Sequence, residues 1–164
     1  MSSAESEVMT APAVGPGEGS VESRQFVTFI VEERTYGIPI GAVREIIRWT
    51  RVTPLPNQPE HARGVLNLRG TILPVYDLRA RLSHSLTEAT DTHVIVIAIV
   101  GSQTLGILVD GVSDILDVAP EDLKAPPPAV ESPASQALVT TDDDRLVTIL
   151  NLSALFGSDA GGFV

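Results

Sequence analysis

The chain has 164 residues, a length for one domain or two small units sharing a core. Hydrophobic residues are 43% and aromatics only 4%, so valine, isoleucine and leucine must fill that core. The lack of cysteine excludes a disulfide scaffold, a thiolate zinc site and a thiol nucleophile, and a net charge of −10 argues against a general nucleic-acid binder. The N-terminus has no basic stretch followed by an apolar run, so no secretory signal is expected. The longest apolar run, Val94 to Val100, is far shorter than the roughly 20 residues of a membrane helix, so no membrane insertion is expected either.

Residues 1–23 contain Ser, Glu, Gly, Pro and Ala with almost no large apolar side chain, and read as a disordered tail. Phe26 to Val31 reads as a strand, Glu32-Glu33-Arg34 as a turn and Thr35 to Ile38 as the returning strand, ended by Pro39. Val43 to Trp49 reads as a turn followed by a strand. Three prolines bar a helix interior from Thr53 to Pro59, and Glu60 to Arg63 suggests one helical turn. Val65 to Leu68 is a strand, Arg69-Gly70 a two-residue hairpin turn and Thr71 to Tyr76 the partner strand, after which Asp77 caps a short helix. Val94 to Val100 is a continuous apolar run, β-branched at every position but Ala98, as in a strand covered on both faces. Thr104 to Val109 and Val112 to Val118 are further strands, and Pro120 to Pro133 is a loop. Arg145 to Leu150 is the last strand, Asn151 caps a helix to Phe156, and residues 157–164 read as a flexible tail.

Charge is unevenly spread. Residues 41–82 hold seven arginines (44, 48, 51, 63, 69, 79 and 81) against three carboxylates, a net +4 that leaves −14 on the remainder. An ordinary solvated surface accounts for this, and so does an arginine-rich face for an acidic partner.

The chain also repeats itself. Thr35 to Ile47 aligns without gaps on Thr104 to Leu116, with Thr, Gly, Ile, Val and Ile coinciding at five positions. Pro74 to Leu82 then aligns on Thr148 to Phe156 in the same order. Duplication implies two similar units of about five short strands, each able to close into a barrel, meeting along an apolar seam. A groove between two such units is a natural binding site.

A search for catalytic chemistry finds no G-x-S-x-G elbow, P-loop or G-x-G-x-x-G. His61, His84 and His93 lack metal-ligand spacing and read as surface or turn residues. Asp142-Asp143-Asp144 lacks the spaced oxygens of a calcium loop and reads as a tight turn. Asp110 and Asp114 read as capping or turn residues. The expectation is a non-enzymatic protein with no cofactor and no metal.

The segment Gly64 to Gly70 needs an explanation. An extended backbone puts Leu66 and Leu68 on one face and Val65, Asn67 and Arg69 on the other. Asn67 and Arg69 then either satisfy local backbone groups or present a polar patch to a partner.

Gly64-Val-Leu-Asn-Leu-Arg-Gly-Thr-Ile-Leu-Pro-Val-Tyr-Asp-Leu-Arg79 closely resembles the G-V-x-N-L-R-G-x-I-x-P-V-x-D-L-R signature of the CheW family of bacterial chemotaxis coupling proteins. Tyr36-Gly-Ile, Val43-Arg-Glu-Ile and Val109-Asp-Gly-Val-Ser-Asp114 look like that family's other marks. Ala137 to Asp142 stands where the family usually carries a G-[IL]-G-like segment. The resemblance implies an all-β fold of two five-stranded SH3-like barrels with short helical turns. The CheW-like domain would span residues 24–156, with barrels at about 36–85 and 92–150 plus exchanged strands. It also implies a cytoplasmic scaffold, at receptor arrays beneath the inner membrane, joining the cytoplasmic tips of methyl-accepting chemoreceptors to the regulatory domain of the histidine kinase CheA. Carried over by motif, the partner-binding residues are Val43, Glu45, Gly64, Asn67 and Arg69. No receiver domain follows, so the variant with an appended receiver is not expected. A non-flagellar chemosensory adaptor and a small-molecule-binding regulatory module are the alternative readings.

Overall fold

The computed structural model describes residues 24–83, 85–126, 135–141 and 143–161. The expected N-terminal tail, His84, Asp142 and the second half of the proline loop lie outside them. The strands are β1 (Arg24–Val31), β2 (Arg34–Pro39), β3 (Val43–Arg48), β4 (Ala62–Leu68), β5 (Thr71–Asp77), β6 (Val94–Val100), β7 (Gln103–Val109), β8 (Gly111–Val118), β9 (Ser135–Thr140) and β10 (Leu146–Leu150). Helix α1 is Leu78–Ser83 and α2 is Leu152–Gly161.

Local chemistry accounts for most boundaries. Glu32 and Glu33 both take positive φ, 53° and 67°, as do Arg69 at 50° and Gly70 at 89°; paired positive φ values are what a tight two-residue hairpin turn requires. Pro39, which has no N–H to donate, ends β2, and one 3₁₀ turn over Ile40–Ala42 follows before β3. Asp77 Oδ1 accepts the Ala80 N–H at 3.4 Å at the start of α1, and Asn151 Oδ1 accepts the Ala154 N–H at 3.2 Å at the start of α2.

Two expectations change. Glu60 to Arg63 is not a helical turn: the chain turns at Pro59, whose carbonyl takes the Ala62 N–H at 3.0 Å, and β4 starts at Ala62 opposite Tyr76. Arg69 lies in the turn, as expected, because β4 ends at Leu68. Helix α2 runs past Phe156 to Gly161, into residues whose composition suggests a tail; no proline interrupts it, and Leu152, Leu155 and Phe156 anchor its first turns in the core.

The ten strands form two five-stranded sheets with the orders β8-β1-β2-β10-β9 and β3-β6-β7-β5-β4. Advancing every strand by five places, counted cyclically, converts one order into the other. The internal repeat is therefore a symmetry of the fold. Each half contributes two strands to one sheet and three to the other, so neither sheet is built from one half alone. The central parallel pairs correspond residue by residue: Ile149 faces Gly37 where β10 meets β2, and Val75 faces Gly106 where β5 meets β7. Both glycines are needed for close approach. A Cβ on Gly37 would lie 3.0 Å from Ile149 Cδ1, and one on Gly106 would lie 2.7 Å from Ile95 Cγ2.

No ladder joins the two ends of either sheet. Instead the segment after the third strand of each half makes one antiparallel bridge to the fourth. Thr53 and Val65 exchange backbone hydrogen bonds of 2.9 and 2.8 Å, and Lys124 and Leu138 exchange bonds of 2.9 and 2.7 Å. Each sheet thus curls into an SH3-like barrel pinned at one point.

The core follows this plan. One apolar cluster fills the second sheet (Val52, Leu66, Leu73, Val75, Ile95, Ile97), and another fills the first (Phe26, Val118, Val139, Val147, Ile149). The largest lies between the sheets, where Phe29, Val31 and Ile38 meet Tyr76, Leu78, Val96, Leu105, Ile107 and the α2 residues Leu155 and Phe156. Tyr76 and Phe156 stack with ring centroids 4.9 Å apart.

Candidate functional site

Four of the five candidate residues lie along the seam of the second barrel. Glu45 is on β3, an end strand of its sheet. Asn67 and Arg69 are at the β4–β5 turn, beside the opposite end. Curling brings the two ends together, and Arg69 Nη2 pairs with Glu45 Oε2 across the gap. The Arg69 side chain is 71% exposed, so the guanidinium keeps most of its hydrogen-bonding surface in solvent. Asn67 is exposed, and its Oδ1 accepts the Gly70 N–H at 2.9 Å, which holds the turn that aims Arg69. Of the local roles considered for these two, Asn67 satisfies a backbone N–H and Arg69 a carboxylate rather than a carbonyl.

Gly64 is buried and has φ = 146°. A Cβ there would stand 2.2 Å from the Thr53 carbonyl oxygen. Its glycine lets the Thr53–Val65 bridge form, on the same strand that leads into the turn. Val43, at the start of β3, is half-buried and packs against the central cluster rather than joining the polar group. Beside the Glu45–Arg69 pair is an open depression of about 280 Å³, lined by Arg44, Glu45, Leu68, Arg69, Thr71, Leu73, Ile97 and Thr104. Its floor is aliphatic and its rim carries two guanidiniums and one carboxylate.

The other barrel repeats the device. Asp114, on β8, pairs with Arg145 at 3.6 Å from the β9–β10 connection. Asp114 also accepts the Thr28 hydroxyl, and its own N–H donates to that oxygen at 3.1 Å. Asp114 is therefore a cross-strand anchor and not a cap. The alignment of Glu45 with Asp114 was a visible signal for this pair. Asp110 does serve a turn, accepting the Glu32 N–H at 3.0 Å.

At the far end of the β4–β5 hairpin from Arg69, Asp77 is fully buried. It accepts the Thr87 N–H at 2.7 Å, the Thr87 hydroxyl at 2.8 Å and Arg63 Nη1 at 3.3 Å. Arg63 also donates to the Thr87 carbonyl at 2.8 Å and lies 5.5 Å from the centre of the Trp49 ring. His61 and His93 are both at turns, as expected, and are half-buried. His61 lies 5.7 Å from the Tyr76 ring, and His93 Nε2 is 3.4 Å from Asp110. No group of three or more His, Asp or Glu able to hold a metal occurs among the described residues, and no helix among them is long and apolar enough to cross a membrane.

Two curled five-stranded sheets, exchanged between the halves of a duplicated chain and each carrying a cross-seam ion pair, define a double SH3-like barrel. The CheW-like domain family matches residues 25–160, and the chain belongs to that family. It is similar to Chemotaxis protein CheW of Rhizobium meliloti (strain 1021), 39% identical over 83% of this chain and 89% of the relative. It is 38% identical to Probable chemotaxis protein CheW of Rhizobium etli, over 81% of this chain and 87% of that one. Among solved structures it resembles scaffolding protein TtCheW from Thermoanaerobacter tengcongensis, with a TM-score of 0.76 and 29% identity over 82% of this chain and 92% of that chain.

Proposed function

We propose that the protein is a non-catalytic coupling adaptor in chemotaxis. One surface holds the helical cytoplasmic tip of a chemoreceptor, and another meets the regulatory domain of the histidine kinase CheA. Holding both at once raises their effective concentration and lets receptor state bias kinase activity. The work is done in the cytoplasm, at receptor arrays beneath the inner membrane. The observation that carries this reading is the Glu45–Arg69 pair, a largely solvent-facing guanidinium at the rim of a depression in a CheW-like fold. Arginine presented in this way suits an interface, since its planar fork is pre-organised and pairs with carboxylates and carbonyls. In the proposed receptor contact, Glu45 and Asn67 orient Arg69, Val43 supplies an apolar edge, and Gly64 keeps the turn in place.

Receptor-fragment binding by wild type and Arg69→Ala tests the contact. An exposed ion pair is worth about 0–1 kcal/mol to folding, so the variant stays folded. Its affinity is expected to fall roughly tenfold or more, as for an interface anchor. Equal affinity would remove Arg69 from the contact. Capture of a CheA regulatory domain by the wild-type chain tests the adaptor itself, and failure to bind either partner would reject it.

A further inference from the structure

The seven arginines of residues 41–82 separate into two groups. Arg63 is held by Asp77 and the Thr87 carbonyl, Arg69 by Glu45, Arg79 by Glu32 at 3.2 Å, and Arg81 by the Leu155 carbonyl at 2.9 Å. These four each have a partner within the fold. Arg44, Arg48 and Arg51 are exposed, and none has a carboxylate partner among the described residues. All three lie on β3 or just beyond its end. Burial alternates along that strand: Val43, Glu45 and Ile47 are half-buried, whereas Arg44, Ile46 and Arg48 face solvent. The outward face therefore reads cation, aliphatic, cation, and Ile46 is 42% exposed between its two neighbours.

We propose that this outward face of β3 is a second interaction surface, distinct from the Arg69 contact, that docks an acidic, extended protein segment. Carboxylates of the segment pair with Arg44 and Arg48, and an apolar side chain between them covers Ile46. Arg44 sits at the β-bulge between Val43 and Glu45 and borders the depression, while Ile46 and Arg48 carry the surface along the solvent side of the strand.

Three physical points select this occupant. Arg44, at the β-bulge, and Arg48 are at most about 13 Å apart at the strand rise of roughly 3.3 Å per residue, a separation that two carboxylates of one extended segment can span. Guanidiniums bind carboxylates through paired N–H groups, and an exposed aliphatic residue between them favours a protein segment over a phosphate chain. The remaining residues carry a net −14, which repels a long polyanion but leaves a local positive patch that steers a short acidic segment to one place.

The test uses the full chain and a labelled peptide containing Glu-Ser-Leu-Ser-Glu, with its Gln-Ser-Leu-Ser-Gln counterpart and a single-stranded oligonucleotide as comparators. Binding is read by fluorescence anisotropy at low salt. The acidic peptide is expected to bind and the glutamine peptide not to bind. The double variant Arg44→Gln/Arg48→Gln should lose roughly three- to tenfold in affinity, the scale of two exposed charge pairs. Ile46→Ala should also weaken binding, while Arg34→Gln, an exposed arginine on β2, should not. Circular dichroism checks that each variant is folded. Equal peptide affinity in wild type and the double variant overturns the proposal. So does oligonucleotide binding at least as tight and lost in the same variant, which would make the face a phosphate site. Self-association of the wild type in sedimentation, abolished in the double variant, would assign the face to a second copy of the chain and overturn it too.

Discussion

Gly64 shows how one residue can serve a site without touching a partner. Its backbone is in a region reserved for glycine, and the Thr53 carbonyl fills the space where a side chain would be. Gly64→Ala is expected to destabilise the fold by about 2–4 kcal/mol, measured as a lower denaturant midpoint, because both the backbone strain and the lost bridge count against it. A variant as stable as wild type would show that the bridge is dispensable. The glycine itself is plain in the sequence. Its reason is not, since Thr53 is eleven residues away and no local pattern places its carbonyl there. The same holds for Arg69: its exposure follows from the Arg-Gly turn, but its pairing with Glu45 depends on two distant strands approaching.

At the level of elements, the motif's Asp77 does more than cap α1. It fastens Thr87, and through Arg63 it ties β4 to the α1–β6 connection. Removing it leaves Arg63 facing buried acceptors with no counter-charge. Asp77→Ala is expected to cost about 3–5 kcal/mol, read from urea unfolding, whereas truncation of an exposed acid such as Glu33 should cost little. A small loss at Asp77 would mean that the connection is held by its apolar contacts instead. Turns and strands were legible wherever local chemistry dominates: the two hairpins with paired positive φ, the caps at Asp77 and Asn151, and the covered strand β6. The start of β4 was not, because Ala62 and Arg63 are strand residues only by virtue of pairing with β5 across a bulge. The Asp114–Arg145 pair was half visible, since the repeat aligned its acid with Glu45 but not its arginine with Arg69.

For the whole molecule, strand exchange has a thermodynamic consequence. Each sheet needs strands from both halves, and the central cluster needs both sheets. The protein is therefore expected to unfold in one cooperative transition, with calorimetric and van't Hoff enthalpies in a ratio of about 1. The first half alone, residues 24–88, should not fold. Two separate transitions, or a folded fragment, would contradict this. Pairing of β1 with β8 joins residues nearly a hundred positions apart, so folding is expected to be slow for the chain's size.

The sequence by itself determined the strand-rich composition, the duplication, the turn chemistry, the CheW-like signature and the concentration of arginine in the first half. Each of these is a property of neighbouring residues or of a pattern compared with itself. Only the tertiary structure decided which half supplies which strand, that each barrel is pinned by one bridge, and which arginines remain free. Seven arginines look alike along the chain. They differ once folding sets Asp77, Glu45, Glu32 and the Leu155 carbonyl beside four of them and leaves Arg44, Arg48 and Arg51 in solvent. Those partners lie between 14 and 74 residues away, beyond the reach of any local pattern.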